Sequence, residues 1–219
     1  MIQEGFVREA ASFYGDKAVE AHVFGSIAQG SNDALSDVDI WVTFEDEKIS
    51  KVLEERIVWY QRFGEIVLFH EMQHNYPLGG IQTAILYKIQ EELLRVDFYL
   101  CPHSSSRILS GSTILFENKK VQLGEIIPET KRVPRDISDR ITFFIMMCFN
   151  SIKKVVRGDK GFVDFLNREF KKYEKAVDGF IAHFPTDPQA RFSLFECGRR
   201  AELLNDFENA RDRYEKILS

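Results

Sequence analysis

The period of hydrophobic positions changes several times along the first hundred residues. Apolar side chains recur at helical spacing over 2–14, then crowd into short runs near 19–24 and 37–44 that predict strands. A second helix is predicted over 46–62, where Ile49, Val52, Leu53, Arg56 and Ile57 form a stripe. Three more strands follow: "EIVLFHE" at 65–71, "IQTAILYKI" at 81–89 and "LLRVDFYLC" at 93–101. A Tyr76-Pro77-Leu78-Gly79-Gly80 break separates the first two. Residues 1–101 therefore predict one unit, a mixed β-sheet flanked by helices.

Beyond Cys101 the pattern fades. "PHSSS", "SGS", "IIPETK" and "RVPRD" discourage long regular elements, so 102–135 is expected to be a connector. From Asp136 the helical period takes over, with helices predicted near 137–157, 161–183, 188–200 and 203–218. Arg157-Gly158-Asp159-Lys160-Gly161 and Pro185-Thr186-Asp187-Pro188 supply the breaks. The predicted fold class is α+β, with a C-terminal helical bundle over 136–219.

Composition narrows the function. A net charge of −5 and a pI near 5.6 argue against a nucleic-acid binder, whose footprint is a basic face, and leave room for a cationic small molecule. The longest apolar stretch, "FFIMMCF" at 143–149, is too short to cross a bilayer, and the N-terminal residues lack a basic region followed by an apolar run. A cytoplasmic protein without a membrane partner is expected. Cys101, Cys148 and Cys197 are odd in number and form no CxxC, which disfavours disulfides and a zinc site and marks them as packing residues.

The chemistry concentrates in "HVFGSIAQGSNDALSDVDIWV", residues 22–42. Glycine at 25 allows a phosphate to approach the backbone, Ser26 has a hydroxyl to donate, and the start of a short helix favours an anion. Ten residues later Asp37 and Asp39 alternate with Val38 and Ile40, so both carboxylates share one face of a strand while the apolar pair faces the core. Two like charges so placed call for a cation, and oxygen ligands suit Mg²⁺, which ATP would bring with it. Asp97, between Val96 and Phe98, offers a third acid on a later strand.

This ordered set, Gly25-Ser26, then Asp37-Val38-Asp39, then Asp97, resembles the nucleotidyltransferase superfamily related to DNA polymerase β. A helical second unit carrying "KKVVRGD" at 153–159 is similar to its antibiotic-modifying branch, the aminoglycoside and lincosamide nucleotidyltransferases. The resemblance implies two Mg²⁺ ions on Asp37, Asp39 and Asp97, an NTP, most simply ATP, as co-substrate, and an acceptor hydroxyl that attacks the α-phosphate and expels pyrophosphate. Asp97 would complete the second metal site or take the hydroxyl proton. Glu65, Glu71, Glu91 and Glu92 are alternative bases.

Blander readings accompany several of these residues. Ser26 also suits a helix cap, and Lys153 and Lys154, candidates for the nucleotide β- and γ-phosphates, are also what a helix dipole favours in a last turn. The five histidines show no metal spacing, and the aromatic stripe of 165–184 reads as core. The expected function is Mg²⁺-dependent transfer of a nucleoside monophosphate, AMP foremost, to a small-molecule hydroxyl. Adenylylation of a partner protein in a toxin–antitoxin type pair and a non-catalytic nucleotide-binding module are the alternatives. Monomer and homodimer are both open.

Overall fold

Gln3, Phe6, Val7, Ala10 and Tyr14 recur at spacings of three and four, and they form the buried face of the first helix, α1 (Ile2–Tyr14). The computed structural model describes residues 2–33, 36–72, 74–89, 92–130 and Met146. The helices expected after Asp136, with the stripe at 165–184 and Lys153 and Lys154, lie outside the described residues. The chain divides into two units, Met1–Val133 and Pro134–Ser219. The described strands and helices up to Thr130 all belong to the first.

After α1 come β1 (Glu20–Phe24), a single turn of helix α2 (Gly25–Ala28), β2 (Val38–Phe44) and α3 (Ile49–Tyr60), which a 3₁₀ turn extends to Phe63. Strands β3 (Glu65–Glu71), β4 (His74–Pro77), β5 (Ile81–Ile89), β6 (Glu92–Pro102), β7 (Thr113–Glu117) and β8 (Pro128–Thr130) complete the unit. Six strands form one mixed sheet in the order β3-β5-β6-β2-β1-β7, and β4 pairs with β8 in a separate two-stranded sheet. All pairings in the large sheet are antiparallel except β2 with β6, at its centre.

Alternation along the central strands sorts their side chains between two faces. Val38, Ile40, Val42, Val96, Phe98 and Leu100 join the main core, together with Phe6 and Tyr14 of α1 and Val52 and Tyr60 of α3. Tyr60 stacks on Phe98 at 4.7 Å between ring centroids, and Phe6 lies tilted against Phe63 at 5.2 Å. The opposite face carries a smaller cluster, Trp41, Tyr99 and Cys101, against which Phe24 and Ile126 pack.

Ile126 belongs to the stretch expected to be a connector, and here the structure departs from the sequence reading. Residues 102–130 are built into the first unit, which continues to Val133 instead of ending at Cys101. β7 extends the sheet beside β1, β8 pairs with β4, and Ser105 Oγ donates to the Leu78 carbonyl at 2.5 Å. The expected break at 76–80 is also shared, because Tyr76 and Pro77 lie in β4 before the turn at Gly79 and Gly80. Among the described residues no helix is long and apolar enough to cross a membrane.

Candidate active site

The sheet register brings the predicted carboxylates together. Asp39 pairs with Asp97 across the parallel strands, Phe24 pairs with Asp39 from the other side, and Ala84 pairs with Asp97. Adjacent strands run about 4.8 Å apart, so one row across the middle of the sheet carries two acids on the same face. Asp37 stands just before the first register pair, Val38 with Val96. Asp97 is buried, whereas Asp37 and Asp39 are partly exposed.

Gly25 closes the row. Its φ is +70°, and a Cβ added there would lie 2.8 Å from Asp39 Oδ2. Glycine at 25 thus serves two needs, a left-handed turn out of β1 and room for the carboxylate. Ser26 sits on the single turn α2, partly buried, and its carbonyl accepts from the Ser31 amide at 3.0 Å. The loop into Asp37 is held from both sides. Ser36 Oγ donates to Asp33 Oδ1 and accepts from the Asp33 amide, each at 3.0 Å. Gln3 of α1 reaches under the loop, its Nε2 donating to the Asp33 and Ser36 carbonyls at 3.1 and 3.2 Å.

A residue that the sequence reading passed over completes the group. Arg95 precedes Asp97 by two positions on β6, so alternation gives both the same face. Its Nε donates to Asp97 Oδ1 at 3.1 Å and its Nη2 to Oδ2 at 2.7 Å, a bidentate pair with side chains only 12% and 7% exposed. Burial works against the guanidinium charge, but the field of Asp97 and its hydrogen bonds outweigh it, aided by Asp37 and Asp39, and the pKa is raised. The signal was present in "LLRVDFYL" as a second charge in step with the acid.

Above the carboxylate row, on the same face, lies a row of rings: His22, Trp41 and Tyr99, with Gln82 at the end. The His22 and Trp41 rings stack at 5.8 Å, and Trp41 and Tyr99 at 5.4 Å. Gln82 Nε2 donates to the Tyr99 hydroxyl at 2.7 Å. Burial, then the charges of Asp97 and Asp39, push the Tyr99 phenol well up. One row further, a chain of hydrogen bonds converges on the Glu20 carboxylate. Trp41 Nε1 donates to Ser106 Oγ at 2.9 Å, Ser106 Oγ and Thr43 Oγ1 share a bond of 2.6 Å, and Thr43 Oγ1 donates to Glu20 Oε2 at 2.9 Å. Glu20 Oε1 lies 2.7 Å from His22 Nδ1, which donates because a carboxylate only accepts. All five residues are fully buried. His22 is thus held in this buried network through Nδ1.

The donor set suits a divalent cation. Three carboxylates meet on one patch, and glycine at 25 leaves the space that Asp39 needs. A positive charge is already required there, and the Arg95 guanidinium supplies it. Although the three carboxylates are neighbours, among the described residues they are not arranged as a ready metal-binding group, and both oxygens of Asp97 are engaged by Arg95. Asp37, Asp39, Asp97, Gly25 and Ser26 are thus brought to one place. Lys153 and Lys154 fall outside the described residues.

Residues 5–160 match the family model of the nucleotidyltransferase domain. A search of curated proteins gives no significant match.

Proposed function

Because this chain belongs to the nucleotidyltransferase domain family, as an enzyme of that type, we propose that it moves AMP from ATP onto a hydroxyl of a small molecule. The observation that carries the reading is the row of Asp39 and Asp97 beside Gly25, with Asp37 at its edge. Asp37 and Asp39 would hold the nucleotide's Mg²⁺, with Asp97 completing a second cation site. Bound there, the ions would supply positive charge to the oxygens that gain charge in the displacement.

The acceptor oxygen forms a bond to the α-phosphorus. The bond from that phosphorus to the bridging oxygen breaks, and pyrophosphate leaves with the electron pair. Asp97 would receive the acceptor's proton if it is spent neither on the cation nor on Arg95. Ser26, just after the Gly25 turn, would offer a hydroxyl to the phosphates. Rigid strands on either side fix the two acids, so positioning is the protein's main contribution. The acidic balance of the chain favours a cationic acceptor, and aminoglycosides and lincosamides are the class to screen. A cytoplasmic enzyme would draw on the ATP pool there.

Titration calorimetry of ATP, GTP, CTP and UTP, with and without Mg²⁺, on the wild type and Asp39→Asn tests this. The expected result is binding of one nucleotide, ATP, that needs both Mg²⁺ and Asp39. Folded protein without metal-dependent nucleotide binding would overturn the reading. A labelled-nucleotide assay then locates the acceptor, and label appearing on protein instead of antibiotic would replace the small-molecule acceptor with a polypeptide.

A further inference from the structure

Three carboxylates in one patch repel one another, and the fold answers with a cation of its own. Arg95 places a planar fork against Asp97, and the two hydrogen bonds occupy both oxygens of that carboxylate. The fork is held but not satisfied. Arg95 Nη1 is buried and has no hydrogen-bond partner among the described residues, although a guanidinium carries five N–H donors. The group is thus electrostatically at home, facing Asp37 and Asp39 as well as Asp97, yet short of an acceptor. A guanidinium so placed is well suited to exchange one anion for another.

We propose that Arg95 is a resident counter-ion that competes with the divalent cation for Asp97, so that the third carboxylate becomes a ligand only when metal and nucleotide arrive together. The inference rests on the transferase reading above. The exchange balances in charge: Asp97 passes from the guanidinium to the metal, and the nucleotide's phosphate oxygens are acceptors of the kind that Nη1 lacks. Metal alone then binds weakly, because it must displace a bidentate ion pair in a poorly solvated site. Metal and nucleotide strengthen each other's binding, and by linkage they do so by the same factor.

The alternative role for Arg95 is to orient Asp97 as a metal ligand, and it predicts the opposite response. Mn²⁺ binding, read from the paramagnetic signal of the free ion, separates the two without any measurement of activity. For wild type, Arg95→Met and Arg95→Lys, each checked for folding by circular dichroism, Mn²⁺ is titrated with and without a non-hydrolysable ATP analogue. Competition predicts that Arg95→Met binds Mn²⁺ alone about tenfold more tightly than wild type, and that the gain from nucleotide shrinks to match. Arg95→Lys, which keeps the charge and loses the fork, should fall between them, and it carries the test if the methionine variant does not fold. Unchanged or weaker binding of Mn²⁺ alone in these variants would overturn the proposal. If wild type binds Mn²⁺ and the analogue together through Asp39 while the variants fail in this way, the transferase reading stands and only the counter-ion role falls. If wild type binds no Mn²⁺ even with the analogue, both fall.

Discussion

A single methyl group at position 25 would meet a carboxylate rather than the core, which makes Gly25 a test of the site separable from the fold. The added Cβ lies 2.8 Å from Asp39 Oδ2, the end of a short side chain that has to move. The backbone at φ +70° adds strain of about 1–2 kcal/mol for any residue with a Cβ. Gly25→Ala should therefore lower stability modestly while weakening Mg²⁺–ATP binding at least about tenfold, equivalent to ~1.4 kcal/mol. Urea unfolding and calorimetry on the same preparation measure the two effects, and a loss of stability with Mg²⁺–ATP binding unchanged would mean that Gly25 serves only the turn. At this scale the sequence was informative for a physical reason. Alternation fixed the face shared by Asp37 and Asp39, and the apolar neighbours of Asp97 marked it as an acid needing a partner. The same alternation puts Arg95 beside Asp97, but only the folded strand reveals that the guanidinium bonds both carboxylate oxygens. Gln3 was hidden more thoroughly, because nothing in the composition of α1 says that its amide will support the loop before Asp37.

Among the elements, those with a buried face were legible and those held by backbone pairing were not. The helix expected at 2–14 matches α1, which turns an apolar stripe inward, and the strand expected at 81–89 matches β5, whose residues 82–87 are all buried. β7 is an edge strand with mostly exposed side chains, and β8 has only three residues, so neither leaves a period-two signature. Their segment still matters to the site's floor, because it delivers Ser106 to the hydrogen-bonded chain of Trp41, Thr43, Glu20 and His22. That chain ties the stretch after β6 to β1 and β2, two of the three strands that carry the ring row above the carboxylates. Thr43→Val keeps the shape and removes the central hydroxyl, leaving a Ser106 donor and a Glu20 oxygen short of partners in a fully buried place. The expected cost is about 2 kcal/mol in urea unfolding at unchanged m-value. A loss within experimental error would show that the network is replaced by water or by rearrangement.

For the described unit as a whole, the aromatic core sets an upper limit on the pH it tolerates. Tyr14, Tyr60, Tyr87 and Tyr99 all have pKa values raised above the ordinary phenol value near 10, and burial is the largest cause in each. Burial likewise pushes the Cys101 thiol up to about 11. Groups with folded pKa values above their unfolded ones hold their protons more tightly in the native state. Their contribution is complete below the unfolded pKa and is lost as the pH rises, because the unfolded chain releases those protons first. Stability should begin to fall near pH 9, where the unfolded thiol titrates, and steepen above pH ~10, where the phenols do. Tyrosinate absorbance from the buried rings should consequently appear together with the loss of circular dichroism. Gradual ionisation ahead of unfolding would contradict the burial argument. Tyr14 sharpens the test, since its hydroxyl is fully buried with no hydrogen-bond partner among the described residues, against Phe13, Phe44, Trp59, Phe63 and Phe98. Tyr14→Phe removes an uncompensated polar group and one of the titrating phenols at once. It should raise stability at neutral pH by about 1 kcal/mol and move the alkaline transition upward. Tyr87→Phe provides the contrast, because its hydroxyl donates to the Tyr60 carbonyl at 3.0 Å. That variant should lose stability at neutral pH while still gaining tolerance to alkali, so the two substitutions separate the hydrogen bond from the titration.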